Sequence, residues 1–320
     1  MKPGTSLQTL LGTARRRSSA ALVAAGLAAA SLCGCLRQGE RERDAPWPAG
    51  VRAPGEPARP INVGKTSTQT DLNGAFPESS QLVGVAVAPN GERYVLDAKS
   101  GLYRLGGDGT TELVLDTNNV ERRFGLDPDL EFTDVAAYGD HRFLVTAEND
   151  GFLLDLWAGS FESYFCYLPP RNVEDSEPEV VSVSQVLASS GIPVKQRTES
   201  VAVHPGSGDI FAQPQTIRLD LAEDSIAASE LFVFSGSGGQ PLRVVELLDT
   251  GFSAGGMVTA DNRLILGFGA ELFELAGNTA EVVGRLEAGV VVSGMARDID
   301  GSLVVLDGPG RRLLDVSVGF

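Results

Sequence analysis

The chain has 320 residues, 42% of them hydrophobic and 7% aromatic, with 38 glycines; this is enough for one large or two ordinary domains and points to a turn-rich globular fold. Its formal net charge is -16, and residues 1–34 hold Lys2, Arg15, Arg16 and Arg17 but no acid, so the remainder is more acidic still. Nucleic acid is therefore not an expected partner, because phosphate binding needs a clustered positive surface.

Arg15 to Arg17 precede SSAALVAAGLAAASL, an apolar run of small residues too short to span a bilayer comfortably. A basic flank followed by such a run is the pattern of a secretory signal, and an ordinary signal peptide cut nearby is the simpler reading. The run ends in Leu32-Cys33-Gly34-Cys35, which resembles a bacterial lipobox. That resemblance implies a signal peptide over residues 1–34, cleavage before Cys35, diacylation of its thiol and acylation of the new amine. Two or three acyl chains anchor a protein stably where one does not. Leu36 follows where an Asp would retain a lipoprotein at the inner membrane, so the resemblance implies the outer membrane if the host is Gram-negative. With Cys35 acylated and Cys33 removed, Cys166 in SYFCYLP remains, no intramolecular disulfide forms, and the thiol is expected as a small buried hydrophobe.

Residues 35–80 are expected as the lipidated cysteine, a tether and a lead-in. RQGERERDAPWPAGVRAPGEPARP is too rich in Pro, Gly and charge to order itself. INVGK, Ile61 to Lys65, is the one strand expected within this stretch, and TSTQTDLNGAFPESS is expected as loop.

From residue 81 the chain repeats. GVAVAPNGERYVLDAKSGLYRL (Gly84 to Leu105) and GMARDIDGSLVVLD (Gly294 to Asp307) share Gly, one apolar residue, Ala, an Asn-Gly or Asp-Gly pair, and an Asp thirteen residues after the first Gly. Each copy reads as two strands joined by a tight turn whose central residues tolerate positive φ. The first unit continues through GLYRLGG and TTELVLD. The second is FTDVAAY, HRFLVTA, GFLLDLWAG and SFESYFCYL, followed by an insertion from Pro169 to Arg197. The third is ESVAVHP, IFAQ, ELFVFSG and PLRVVELL; the fourth GGMVTAD, RLILGFG, AELFELA and AEVVGRL; the fifth SGMARDI, SLVVLDG and RRLLDVSV, one strand short. Repeated four-stranded units predict an all-β fold, a β-propeller, with five blades visible and INVGK closing the last from the opposite terminus. A sixth blade would hide where VVSVSQVL has strand composition; VSVSQVLASSG is also the one stretch with any helical signal. A β-sandwich is the competing architecture.

The repeats resemble those of NHL and SMP-30-like β-propellers over residues 82–320, and TESVAVHPGSGDIF (Thr198 to Phe211) resembles a strand of phytase-type and esterase-like propellers. The resemblance implies a propeller, and its members include lactonases, dehydrogenases and pure binding modules. The SMP-30-like lactonases hold a metal with an early Glu, which QLVG in the first unit lacks.

Three chemistries are testable against the residues. Gly251-Phe252-Ser253-Ala254-Gly255 matches G-x-S-x-G, but no strand-turn-helix surrounds it, and the two histidines, His141 and His204, sit beside turns. Asp127, Asp129, Glu131 and Asp134 give D-x-D-x-E, without the glycine and bidentate Glu of a calcium hand. No metal site or cofactor is expected, with calcium as the alternative. The third chemistry is binding on the propeller axis, where Asp134, Arg197 and Glu199 are the candidate ligand-binding residues; the competing reading is that such acids satisfy backbone amides. Asp97, Glu148 and Asp307 end second strands near one face. GSGG at Gly236 to Gly239 is a hairpin connection. The expected function is a membrane-anchored extracytoplasmic scaffold that binds a protein or small molecule. The alternative is a metal-dependent hydrolase, lactonase-like or phytase- and esterase-like, with an acidic axial site.

Overall fold

Strand alternates with turn throughout the computed structural model, which describes residues 47–117, 130–137, 143–149, 160–167, 179–186, 194–218, 225–234, 243–247 and 254–320. Strand β1 (Asn62–Asp71) is followed by the first sheet: β2 (Leu82–Val87), β3 (Arg93–Asp97), β4 (Gly101–Leu105) and β5 (Thr111–Asp116). The second comprises β6 (Leu130–Ala137), β7 (Phe143–Asn149), β8 (Ser160–Tyr167) and β9 (Glu179–Val186), and the third β10 (Val194–Val203), β11 (Ile210–Arg218), β12 (Ser225–Phe234) and β13 (Arg243–Leu247). The fourth is β14 (Gly256–Ala260), β15 (Arg263–Phe268), β16 (Glu271–Ala276) and β17 (Thr279–Arg285). The fifth is β18 (Val292–Arg297), β19 (Leu303–Asp307) and β20 (Arg312–Gly319), with β1 as its fourth strand.

The innermost strands pack in a closed ring: β2 against β6, β6 against β10, β10 against β14, β14 against β18, and β18 back against β2. Side chains explain the ring. Neighbouring residues of a strand point to opposite faces, and in β3 Tyr94 and Leu96 pack with Phe132, Val135, Phe143 and Val145 of the second sheet, while Val95 between them packs with Val304 and Leu306 of the fifth. In β15, Leu264 and Leu266 meet Phe211, Leu231 and Val233 of the third sheet, and Ile265 meets Leu303 and Val305 of the fifth. Both faces of each such strand are covered, so YVL, LIL and LVVL read as unbroken apolar runs rather than as alternation. Sheets stacked face to face around an axis are a β-propeller.

The last sheet is closed as expected, by antiparallel pairing of β1 with β20 from Asn62↔Gly319 to Asp71↔Arg312. The closing strand is longer than INVGK, and TSTQTD, read from sequence as loop, is its second half. As the outermost strand it has no sheet beyond it, so most of its side chains stay exposed and no apolar pattern marks it.

Two further differences have physical reasons. Residues 47–60, expected as part of a tether, lie along the fourth sheet: Leu264 N–H donates to Gly50 O at 2.8 Å, Arg52 N–H to Leu275 O at 3.2 Å and Ile61 N–H to Val283 O at 2.7 Å. What holds this strap is partly ionic, which its hydropathy does not reveal. Glu274, fully buried, accepts from Arg263 Nε and Nη2 at 2.8 Å each and pairs with Arg52 Nε at 3.0 Å, and Arg263 Nη2 also donates to Arg59 O. In the second sheet, EVVSVSQV, placed within an insertion and considered for a sixth blade or a helix, is the outer strand β9 paired with β8, so SFESYFCY becomes the third strand; GFLLDLWAG lies outside the described residues. Cys166 stands opposite Val145 in that pairing.

The repeated turn also differs from expectation. Gly91 N–H donates to Ala88 O at 2.8 Å and Ala88 N–H to Glu92 O at 2.9 Å, and of the pair Asn90-Gly91 only Gly91 takes positive φ, 82°. Asn90 Oδ1 instead accepts the Glu92 N–H at 3.0 Å. Asp298 to Ser302 and Gly106 to Thr110 repeat the arrangement, with Asp300 and Asp108 in the role of Asn90. The hydroxyl and amide of Ser302 hold the Asp300 carboxyl below its ordinary range, as those of Thr110 do for Asp108. Asp261 and Asn262, φ 49° and 60°, do form the two-residue turn that demands positive φ at both positions.

Candidate functional site: an apolar cavity on the axis

Gly84, Asp134, Ser200, Gly256 and Gly294 occupy equivalent places in the ring of inner strands. At three of them the backbones approach too closely for a side chain: a Cβ on Gly294 would lie 2.7 Å from Val85 N, and one on Gly256 2.8 Å from Gly294 Cα. Asp134 departs from glycine and joins the strands by hydrogen bonds instead. Its carboxylate, 2% exposed, accepts Val135 N–H on Oδ1 at 2.8 Å and Val201 N–H of β10 on Oδ2 at 2.9 Å. Beyond Ser200, its partner across the sheet, Gln213, accepts Ala254 N–H at 2.9 Å and ties the third sheet to the fourth.

Where the inner strands end, the ring widens into a cavity of about 540 Å³. Its wall is built from the repeat itself. The residue two places after each ring position, Ala86, Ala136, Ala202, Val258 and Ala296, lines it, together with Met257, Met295 and the first-to-second-strand turns, including Pro89, Pro205 and Ile299. Small side chains at these places leave the space that larger ones would fill. Ile299 is 70% exposed at the rim.

Among the described residues four polar side chains reach this wall, and each is already engaged. His204 accepts the Ser207 N–H on Nδ1 at 3.1 Å, which fixes the proton on Nε2, and Nε2 donates to Asn262 Oδ1 at 2.9 Å. Thr259 Oγ1 donates to Val203 O at 2.6 Å, Arg297 pairs with Asp261 at 2.9 Å, and Asp298 pairs with Arg93 at 2.5 Å. Among the described residues the cavity therefore offers a visitor apolar contact area, its charged side chains already paired. Ser207 Oγ lies 3.2 Å from His204 Nδ1 and donates to Asp209 Oδ2 at 2.8 Å; with Ser between His and Asp, this is a turn and not a nucleophilic triad.

The residues singled out from sequence fall elsewhere. Asp134 spends both carboxylate oxygens on backbone amides. Arg197 and Glu199 lie on β10, Arg197 opposite Gln215, with side chains outside the described residues. Asp97 caps the turn after β3, accepting Ser100 N–H at 2.7 Å and Lys99 N–H at 3.1 Å, and Asp307 caps the matching turn through Gly310 N–H at 3.1 Å while pairing with Arg312 at 2.8 Å. Glu131 pairs with Lys99 at 3.2 Å. Cys35, Asp127, Asp129, His141 and Ser253 lie outside the described residues, as do the side chain of Glu148 and the GSGG connection. Among the described residues no three His, Cys, Asp or Glu side chains come together as a metal cage; of the D-x-D-x-E group, Glu131 and Asp134 are engaged as above and Asp127 and Asp129 lie outside the described residues. Sequence reasoning missed His204, Asn262 and Ile299 as neighbours of a site. The alanine of the repeat was the available signal, and it was read as scaffold.

Fold and site together define a β-propeller with an apolar pocket on its axis. No protein-family model matches the chain, and no curated protein matches it. Among solved structures it is similar to the PQQ-bound aldose sugar dehydrogenase of Streptomyces coelicolor, at 12% identity and TM-score 0.46, over 82% of this chain and 100% of that one. It is similar to streptogramin B lyase at 10% identity and TM-score 0.40, over 81% and 98%, and to Myxococcus xanthus glutaminyl cyclase at 12% and 0.43, over 82% and 98%. Likeness at this level carries no chemistry from those proteins to this one.

Proposed function

We propose that the chain is a lipid-anchored, extracytoplasmic β-propeller of the NHL and SMP-30-like kind, acting as a binding module whose site is the axial cavity. One observation carries the reading: the repeat places small apolar residues on the cavity wall, and among the described residues every polar side chain there is bound to another part of the protein. Cavities of roughly 300–1,000 Å³ suit small ligands. A hydrolase using an axial metal is the alternative; it needs uncommitted acidic donors, and Asp134 is committed to the strands. Elemental analysis of the purified chain separates the two, since stoichiometric calcium or zinc contradicts the binding module. The anchor is tested by labelling with palmitate: wild type takes up label and partitions with membranes, and a Cys35→Ala variant that still does both overturns the assignment.

A further inference from the structure

We infer that the seam between the fourth and fifth sheets, where the strap crosses it, binds a small anion, a halide held between Arg263 and Arg59. The site is separate from the axial cavity and owes nothing to the lipid anchor, and all its residues lie within 47–117 and 254–320. Arg263 stands two places before Ile265 and Glu274 opposite it, so both share the face of the fourth sheet that meets the fifth.

Charge is out of balance there. Glu274, fully buried, is approached by three guanidinium groups: Arg263 Nε at 2.8 Å, Arg52 Nε at 3.0 Å and Arg59 Nη2 at 3.8 Å. Arg52 and Arg263 are buried as well, so the interior holds two cations against one carboxylate. Glu281 reaches Arg52 Nη2 at 3.4 Å, but from a half-exposed side chain that water screens. A buried charge without its counter-charge is costly, and the excess here is positive.

Hydrogen bonding points to the same place. Arg263 Nε and Nη2 both donate to Glu274, and Nη2 also to Arg59 O, whereas Nη1 is buried and, among the described residues, without an acceptor. Arg52 Nε, close as it is, makes no hydrogen bond to Glu274, and its Nη1 and Nη2 donate to Glu56 O and Glu281. Arg59 supplies the entrance: its side chain is mostly exposed and lies beyond hydrogen-bonding distance of Glu274. An anion entering beside it is bridged by one buried guanidinium and one reached from solvent.

The chemistry also selects the kind of anion. The edge of Arg263 that grips a carboxylate or phosphate through two parallel N–H bonds is spent on Glu274. What remains is a single buried nitrogen, a one-point contact that suits a monatomic ion such as chloride better than an oxyanion. Water satisfies the N–H groups but leaves the charge. Because Arg59 belongs to the strap and Arg263 to β15, the bound ion fastens one to the other.

The test follows the full chain by calorimetry in sodium chloride and in sodium gluconate at equal ionic strength. Chloride raises Tm above the gluconate value by about 3 °C for each tenfold increase beyond its Kd, as a ligand of the native state does, and bromide replaces it. Arg59→Gln, which leaves Arg263 and Glu274 paired, raises the apparent Kd for chloride about tenfold. Arg52→Met, Arg263→Met and Glu274→Leu together abolish the advantage of chloride. Crystals soaked in bromide show an anomalous peak beside Arg263 Nη1. Equal Tm in the two salts, or a chloride effect unchanged by Arg59→Gln, overturns the site. Water at Nη1 with no bromide peak does so too, and a bromide peak without chloride-dependent Tm marks an adventitious ion only. Phosphate acting at lower concentration than chloride overturns the halide assignment.

Discussion

Replacing Glu274 with Leu isolates what the strap contributes. Glu274 is fully buried and faces Arg52 and Arg263, whose side chains are 4% and 2% exposed. The substitution removes the carboxylate that Arg263 Nε donates to and leaves the buried Arg263 guanidinium without that counter-charge and Arg52 with Glu281 at 3.4 Å, a loss of about 3–5 kcal/mol. For a domain of this size that is a fall in Tm on the order of 10 °C. Urea unfolding of the Cys35→Ser chain, followed by tryptophan fluorescence because Trp47 sits at the start of the strap, measures it, with an unchanged m-value showing that the same surface unfolds. Replacing all three partners, Arg52→Met, Arg263→Met and Glu274→Leu, removes the orphaned charges with the ion pairs and recovers stability to within about 2 kcal/mol of wild type. A single variant costing less than about 1 kcal/mol, or a triple variant no better than the single, refutes the reasoning that the triad is the fastening and its desolvation the reason for the cost.

Gly294→Ala drives a Cβ to 2.7 Å from Val85 N in the ring of inner strands and costs about 3 kcal/mol or more, whereas Gly107→Ala, with nothing within 4 Å, is nearly neutral; equal effects in calorimetry would contradict close backbone packing on the axis. Glu92 is held down from 4.5 to about 2 by the Asn90 amide, with Arg104 and Tyr94 adding to it against the opposing effect of burial. Because the folded value lies below the unfolded one, its contribution is complete above pH about 4.5 and fades as pH falls toward 2. Wild type accordingly exceeds Glu92→Gln by about 1 kcal/mol at pH 7, after screening of a partly exposed group, and loses that margin in acid; a carboxyl resonance titrating near 4 would end the argument. The His204 imidazole carries its proton on Nε2, which nitrogen chemical shifts report, and a proton on Nδ1 would be incompatible with the Ser207 contact.

The fold was legible where burial forces a pattern. Apolar runs in second strands, paired with Gly and Asn or Asp at turns, mark sheets covered on both faces, and they located the first, fourth and fifth sheets nearly residue by residue. Legibility failed at the periphery. The second half of β1 is polar because no described sheet lies beyond it, and β9 lies beyond a stretch with no regular spacing. The strap escaped notice because Arg52 and Glu274 are buried as an ion pair, which composition counts as solvated charge. At the site, acids drew attention because charge usually signals chemistry, yet Asp134 replaces a glycine contact with two hydrogen bonds. The cavity is made by small side chains, and their lack of bulk becomes a feature only when the strands are set around an axis.

The pairing of β1 with β20 also governs when this protein can finish folding. Ribosomes make Asn62 well before Gly319, yet the two are partners in one sheet. Closing so long a loop is entropically slow and can only follow synthesis of β20. Until then the first four sheets form an open arc with an unsatisfied edge at each end, the state most exposed to wrong pairing with another molecule. A chain cut short by only its last strand would keep most of its core residues and remain in that state permanently.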